Sequence, residues 1–404
     1  MINNKTHRIA LGPLLTAAVI GLLFVQENAS AQWSFDPIVR VGAEADDNAT
    51  LTIRTDEEID LEGLLLEASA GFLYDSQRTD FEITPRVRNN NYSDDPELES
   101  TDLFLNTRLT HETQSSVFGL RANFDRQTAR TGERADTDFE EELEDILADD
   151  SGQVGTVGNR EKWRIKPTWF YTASNVTTFG VELEHIDVAY DEEFAGVLED
   201  YSDSRLNLLY RREVSDRTAA VVQLTGRSYE ADGVDSEEVT GYGGQVGFDH
   251  DLSETTRIRA LVGVEDTDVA SAEPVGEFSI IRRLETIELR AQYRRALNAS
   301  GIGRVSVRDQ VNVNFTRRLN TRLSAGLGVR AYRAERLEDA TFAGGNERDY
   351  VQLRSNFVWN FTPSLFFEAD YRYTILDRSS TLGESSNSNR ITLWLTYQPN
   401  ANRN

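Results

Sequence analysis

Arginines recur at even spacings inside stretches that otherwise alternate apolar with polar or small residues. Arg86 and Arg88, Arg164 and Lys166, Arg257 and Arg259, and Arg290 and Arg294 are such sets. Successive side chains of a strand point to opposite faces, so even spacing gathers each set on one face and leaves the apolar residues on the other. Arg108, Arg121, Arg205, Arg211 and Arg227 fall on the polar face of their own stretches, as do Arg308, Arg330, Arg354, Arg372 and Arg390. Acids share that face, among them Glu67, Glu82, Asp125, Glu184, Asp249, Glu288 and Asp370. Guanidinium forks hydrogen-bond carboxylates, phosphates and sugar hydroxyls, so a wall of them suits a water-filled path that attracts anions. The plainer alternative is that these charges pair across strands and only keep the wall solvated.

Other chemistry finds little support. His111, His185 and His250 have no nucleophile motif beside them, and acids are too abundant for one pair to stand out as general acid and base. G-x-S-x-G, H-E-x-x-H and a phosphate loop are all missing. The chain has no cysteine, which excludes disulfides, thiolate metal sites and a cysteine nucleophile. The sequence therefore reads as a non-enzyme with no cofactor and no metal site. Gly241, Gly243, Gly244 and Gly247 read as small residues of a curved strand rather than a nucleotide cradle.

The elements that would carry the arginines are strands. In residues 311–332, Val311, Val313 and Phe315 share one face with Leu323, Leu327 and Val329 of the return strand, and these are expected to meet lipid. Asn312, Asn314 and Arg330 fall opposite, and Arg318, Leu319 and Asn320 make the turn. The unit recurs along the chain. Eight tight turns, near Ser76, Thr113, Ser174, Ser215, Ser253, Leu284, Leu319 and Thr362, alternate with nine longer connections. The latter are 46–60, 93–100, 128–160, 191–202, 231–238, 268–274, 298–303, 335–349 and 377–388.

Many runs reach the ~9–11 residues a tilted strand needs to cross a bilayer. Long loops on one side and short turns on the other mark an outer-membrane barrel rather than a soluble sandwich. The expected fold is all-β, a closed antiparallel transmembrane barrel of about 18 strands, with the short segment 277–283 deciding between 18 and 16. Trp169, Tyr171, Trp359, Phe361, Tyr371 and Tyr373 are expected near strand ends, as interface girdles.

Lys5, His7 and Arg8 precede an apolar run over 9–25, and Ala29, Ser30 and Ala31 follow it. This pattern predicts a signal peptide over 1–31 and a barrel over 32–404. The net charge of -26 argues against nucleic acid as a partner. The expected partners are outer-membrane lipid, a polysaccharide substrate and a periplasmic export partner.

The longest outer connection carries Phe139, Leu143, Ile146 and Leu147 at helical spacing among Asp138, Glu140, Glu141, Glu144 and Asp145. One reading is an amphipathic helix folded into the mouth as a constriction; the other is a solvated acidic loop.

Two stretches carry a resemblance. WSFDPIVRVGAEADDNATL, with its Asp46-Asp47-Asn48-Ala49-Thr50-Leu51 step, resembles the opening of outer-membrane barrels associated with exopolysaccharide export and PEP-CTERM/exosortase systems. Ser300-Gly301-Ile302-Gly303 is similar to that family's crossing between two strands. The layout matches over nearly the whole chain, through short and degenerate motifs. The resemblance implies a porin-like exit, or an accessory to it, for a polysaccharide made by a polymerase-type assembly system, with no catalytic residues to transfer. Residues 391–397 look like the signal read by the barrel assembly machinery, although 398–404 follow and no terminal Phe is present. A general diffusion porin and a structural or adhesive barrel remain the alternatives.

Overall fold

The computed structural model describes residues 32–52, 58–92, 96–134, 158–191, 198–233, 238–337, 348–378 and 385–399. The first half of the barrel comprises β1 (Gln32–Asp46), β2 (Leu61–Asp75), β3 (Thr79–Asn91), β4 (Ser100–Glu112), β5 (Ser116–Thr128), β6 (Asn159–Ser174), β7 (Thr177–Tyr190), β8 (Tyr201–Ser215) and β9 (Thr218–Ala231). The second comprises β10 (Val239–Ser253), β11 (Thr256–Thr267), β12 (Glu273–Arg283), β13 (Ile287–Ser300), β14 (Arg304–Asn320), β15 (Leu323–Arg336), β16 (Arg348–Thr362), β17 (Leu365–Arg378) and β18 (Ser385–Tyr397). Every strand pairs antiparallel with its sequence neighbours, and β1 closes on β18 from Val39↔Tyr397 to Asp46↔Arg390. The segment that decided between 16 and 18 strands belongs to β12, paired on both sides.

Alternation sets the two faces. On β2, Leu64 and Leu66 are 67% and 54% exposed while Leu65 between them is 3% exposed. Leu224, Val246, Val262 and Leu327 repeat this exposure around the circumference. Leaving an apolar side chain in water forfeits roughly 1.5–3 kcal/mol, so dozens of them define a belt that must lie in lipid. Val311, Leu327 and Val329 all lie exposed on that belt, as the hairpin pattern predicts. Aromatic pairs frame it: Trp33–Tyr74, Trp359–Phe361 and Phe118–Trp169 near the tight turns, and Phe124–Trp163 nearer the long connections. Tyr371 and Tyr373 instead sit in the middle of β17. Closed pairing leaves no strand edge in lipid, which is the condition for spanning it with strands.

The short turns take the periplasmic side and the long connections the extracellular side. Five of the eight short turns include a register shift, and the one between β14 and β15 falls between Arg318 and Asn320. The turn itself is therefore at Thr321 and Arg322, beyond the expected Arg318-Leu319-Asn320 step, with the Asn320 side chain accepting from Arg322 N at 2.8 Å. A bulge accommodates the extra residue and strengthens the local twist.

Candidate translocation path and extracellular mouth

The inner face carries the polar half of each alternation, and every arginine expected there lies on it. Many are tied to acids. Glu67 receives Arg88 at 2.7 Å, Arg40 at 3.3 Å and Arg86 at 3.9 Å. Asp203 receives Arg205 at 2.8 Å and Arg227 at 2.9 Å, and Glu184 receives Arg164 at 2.5 Å. Arg211 and Arg259 both approach Asp249, at 3.4 and 3.8 Å. Arg290 meets Glu288 at 2.7 Å, and Asp370 joins Arg354 to Arg372. Arg330, fully buried, donates to Asn312 at 3.2 Å, while the Arg308 guanidinium lies 4.2 Å over the Tyr332 ring. Arg108, Arg121, Lys166 and Arg294 lie on the same face, with Arg108 exposed. Cross-strand pairing is thus widespread, and it holds long side chains in fixed places along the wall.

Three segments fold inward from the extracellular rim. The first follows β1. Asn48 donates to Thr52 O and accepts from Thr52 N, both at 3.0 Å, and also donates to Asn387 O on β18 at 3.0 Å. An Asn side chain that stands in for backbone in this way fixes a tight turn. Leu51, at φ 47°, is thereby tucked among Tyr332, Tyr350 and Leu376 of β15, β16 and β17. The Asp-Asp-Asn-Ala-Thr-Leu step is therefore a device that turns the chain back over the lumen.

The second segment follows β5. One helical turn, Ala129–Gly132, redirects the chain so that Arg134 reaches β1 and β18. Its guanidinium meets Asp46 and the Ser388 hydroxyl, each at 2.6 Å, and Ser388 in turn donates to Asp46 at 2.6 Å. The Arg134 and Asp46 side chains are 1% and 0% exposed. Nearby, Arg130 donates to the Tyr92 hydroxyl at 3.1 Å, which donates to Glu44 at 3.2 Å. Burial, reinforced by the Glu44 carboxylate, pushes the Tyr92 phenol well above its ordinary value, so it remains a donor.

The third is the tip of the β13–β14 hairpin. Leu297, Ala299, Val305 and Val307 continue the outward-facing phase of their strands, yet all are buried. They pack on Ile186, Val188, Tyr201, Tyr229 and Val239, which belong to the inward face of β7 to β10. The tip has therefore bent into the lumen and laid its outer face on the inner face of β7 to β10. Tyr229 donates to Ser300 O at 3.1 Å, and Glu199 N donates to Gly301 O at 2.7 Å. Gly303, at φ 73°, adopts the left-handed backbone that closes the tip and that a Cβ would strain. Ile302 packs with Tyr190, Leu198 and Ala129, which joins this tip to the second segment. Tyr190 also donates to Glu133 at 2.7 Å, and Glu133 pairs with Arg160 at 3.2 Å.

The expected constriction residues Asp138, Glu140, Glu141, Glu144 and Asp145 lie outside the described residues, as does the expected signal peptide. The expected outer crossing at 298–303 is instead part of an inward-folded hairpin, because its apolar outer face finds protein to pack on. Arg134, Arg130, Tyr92, Tyr190 and Tyr229 carry the mouth without having stood out in sequence. A visible signal existed: Arg295 and Asp309 pair on the outer face and end the lipid belt, yet apolar alternation resumes above them.

A closed barrel with an apolar belt, aromatic girdles and asymmetric connections defines an outer-membrane β-barrel of channel-like fold, and places the chain in the bacterial outer membrane. No protein-family model matches the chain, and no curated protein matches its sequence. Among solved structures it is similar to the siderophore receptor PirA from Pseudomonas aeruginosa, at 9% identity and TM-score 0.47 over 90% of this chain and 80% of that one. It is also similar to the outer membrane channel DcaP of Acinetobacter baumannii, at 14% identity and TM-score 0.45 over 92% and 99% of the two chains. The assignment of the mouth and wall rests on the geometry above and not on these distant likenesses.

Proposed function

We propose that the chain is an outer-membrane channel for export of an exopolysaccharide, closed at rest on its extracellular side. The observation that carries this reading is the inward-folded mouth. Eighteen strands enclose room for an aqueous channel, and an open diffusion pore would leave that room accessible. Here three separate segments fold inward over it, held by a buried Arg134–Asp46 pair and by apolar clusters against the inner faces of β7 to β10 and of β15 to β17. Such a closure suits a conduit that opens only when cargo or a periplasmic partner engages it. Polymer would enter between the short periplasmic turns, where no comparable inward fold occurs among the described residues.

The test is made in cells. Deleting the gene should abolish or sharply lower surface exopolysaccharide while leaving its synthesis intact, so that polymer accumulates behind the outer membrane. Normal surface levels in the deletion strain would overturn the proposal.

A further inference from the structure

The outer face of the barrel is charged differently at its two margins. On the extracellular side the outward positions carry acids, among them Asp187, Asp266, Asp309 and Asp349, in phase with the exposed Leu183, Val264, Val311 and Val351. Cations that occur there are paired: Arg126 meets Glu161 at 3.3 Å, Arg295 meets Asp309, and Arg333 meets Asp349 at 2.7 Å. At the periplasmic margin the outward positions of the described strands hold Arg212, Arg282, Arg317, His111 and His250, and no acid. The acids nearest to Arg282 in sequence are Glu285, in the β12–β13 turn, and Glu288, which faces the lumen and is held by Arg283 at 3.1 Å and Arg290 at 2.7 Å. The Arg282 and Arg317 guanidinium groups are exposed and make no hydrogen bond or ion pair with a described residue.

Arg317 stands at the lower end of a groove of about 550 Å³ on the outer face of β14 to β18. Two rows of paired residues shape it. One runs through Arg317, Ala325, Phe357 and Ala369, the other through Phe315, Leu327, Ser355, Tyr371 and Ile391. Ala325, Ser355 and Ala369 alternate between the rows on successive strands, so a trough floored by small residues winds between larger side chains. Tyr371 is fixed near its upper end by donating to Asn389 at 2.7 Å. Four strand intervals of ~4.8 Å make the trough about 19 Å long, the scale of an extended acyl chain. The row through Phe315 continues past Leu289 to Arg282 on β12. The two arginines therefore stand two strands apart, about 10 Å, at the same end of the trough.

Lipid chains cover the whole belt, and moving a chain from bulk lipid onto it gains nothing from the hydrophobic effect. A lipid is held at one place only by close packing and by its headgroup. The trough supplies the packing, since its floor and walls are shaped for a single narrow chain. The arginines supply the charge: a guanidinium fork takes a phosphate through two parallel hydrogen bonds, and neither fork is already occupied by a carboxylate. The acids of the extracellular margin would repel the same headgroup, so the charge pattern directs an anionic lipid to the periplasmic leaflet.

We infer that this groove is a binding site for an anionic phospholipid of the periplasmic leaflet. Its phosphate is held between Arg317 and Arg282, and one acyl chain lies over Ala325, Ser355 and Ala369. The site stands whether or not the channel exports a polysaccharide. The probe is phosphatidylglycerol added to the purified, detergent-solubilised full barrel, with retained lipid counted by native mass spectrometry and folding checked by heat-modifiable gel mobility. R317Q should retain about fivefold less of it than the parent. R212Q, which removes the same charge from the same margin six strands away, should change retention by less than about twofold. A369F, which fills the trough and leaves the charge alone, should lower retention about as much as R317Q.

Should R317Q not fold, R282Q replaces the other exposed arginine and should give a loss in the same direction. Equal losses in R317Q and R212Q would reduce the effect to net charge and overturn the site. Unchanged retention in R317Q would overturn it too, as would equally tight retention of zwitterionic phosphatidylcholine with the same chains. Full retention in a folded A369F variant, or displacement of the lipid by glycerol phosphate alone, would show that the trough holds no chain and would likewise overturn it.

Discussion

Two rows of the inner wall climb toward the mouth, and they place their acids differently. The first row runs from Glu82 through Arg108, Arg121, Lys166, Glu184 and Arg205 to Arg227 on β3 to β9, so Glu184 stands between cations, and Asp203 of the row above holds both Arg205 and Arg227. The other runs from Arg257 on β11 through Ile281, Arg290, Asn314, Gly328, Arg354, Arg372 and Arg390 to Asp46 on β1. It also holds five cations, with Asp251 and Asp46 directly opposite the first and last of them and acids of the row below set against Arg290, Arg354 and Arg372. Asp251 pairs with Arg257 at 2.8 Å, Glu288 with Arg290 at 2.7 Å, and Asp370 with both Arg354 and Arg372. The difference teaches that counting lumen arginines does not separate a structural wall from a binding one. Asp203 holds Arg205 and Arg227 from the mouth side of the first row, as Asp370 holds Arg354 and Arg372 from the periplasmic side of the second.

The largest effect is expected from breaking the neutralised row. Asp370→Ala leaves Arg354 and Arg372 without their shared carboxylate, and should destabilise the barrel by about 3–5 kcal/mol in urea unfolding from detergent. An unchanged unfolding midpoint would make that pairing dispensable.

At the top of the neutralised row, Arg134→Ala removes the buried partner of Asp46, at a cost of about 3 kcal/mol to the closed mouth. Its signature should be steady ion conductance in a planar bilayer where the parent is silent. Beneath the tip that covers the other row, Tyr229→Phe deletes the bond to Ser300 O and should cost ~1 kcal/mol. That raises the open fraction about fivefold, read as more frequent openings. The smallest stability effect belongs to the periplasmic end of the first row: Arg108→Gln, at an exposed side chain, should shift unfolding by less than about 0.5 kcal/mol. A large destabilisation there would show Arg108 to be held as firmly as the paired arginines nearer the mouth.

The barrel is legible in the sequence because period-two alternation and turn spacing are local signals. Residues 277–283 sit in a strand as short as any in the barrel, and even they show enough alternation to complete the count. The inner arginines were legible for the same reason, since even spacing fixes a face. Their organisation into rows was not, because register is set between strands and a sequence read one strand at a time does not contain it. The mouth was legible only as motifs without a role. Asn48 and Leu51 act through β15 to β18, and the hairpin tip acts through Tyr190 and Tyr229, partners far away in sequence. Arg134 stands at the start of a long acidic connection, where nothing local marks one arginine as a latch.

Closure at rest is the central claim, and planar-bilayer recording of two purified proteins tests it most directly. One is the parent chain. The other has residues 297–307 replaced by a short Asn-Gly turn between the paired Ala296 and Arg308, so that the β13–β14 hairpin loses the apolar tip that packs on β7 to β10. The account predicts a silent parent and a shortened variant that conducts steadily, with a preference for anions. A parent that conducts steadily, and to the same extent as the shortened variant, would contradict it and make the barrel an open diffusion pore.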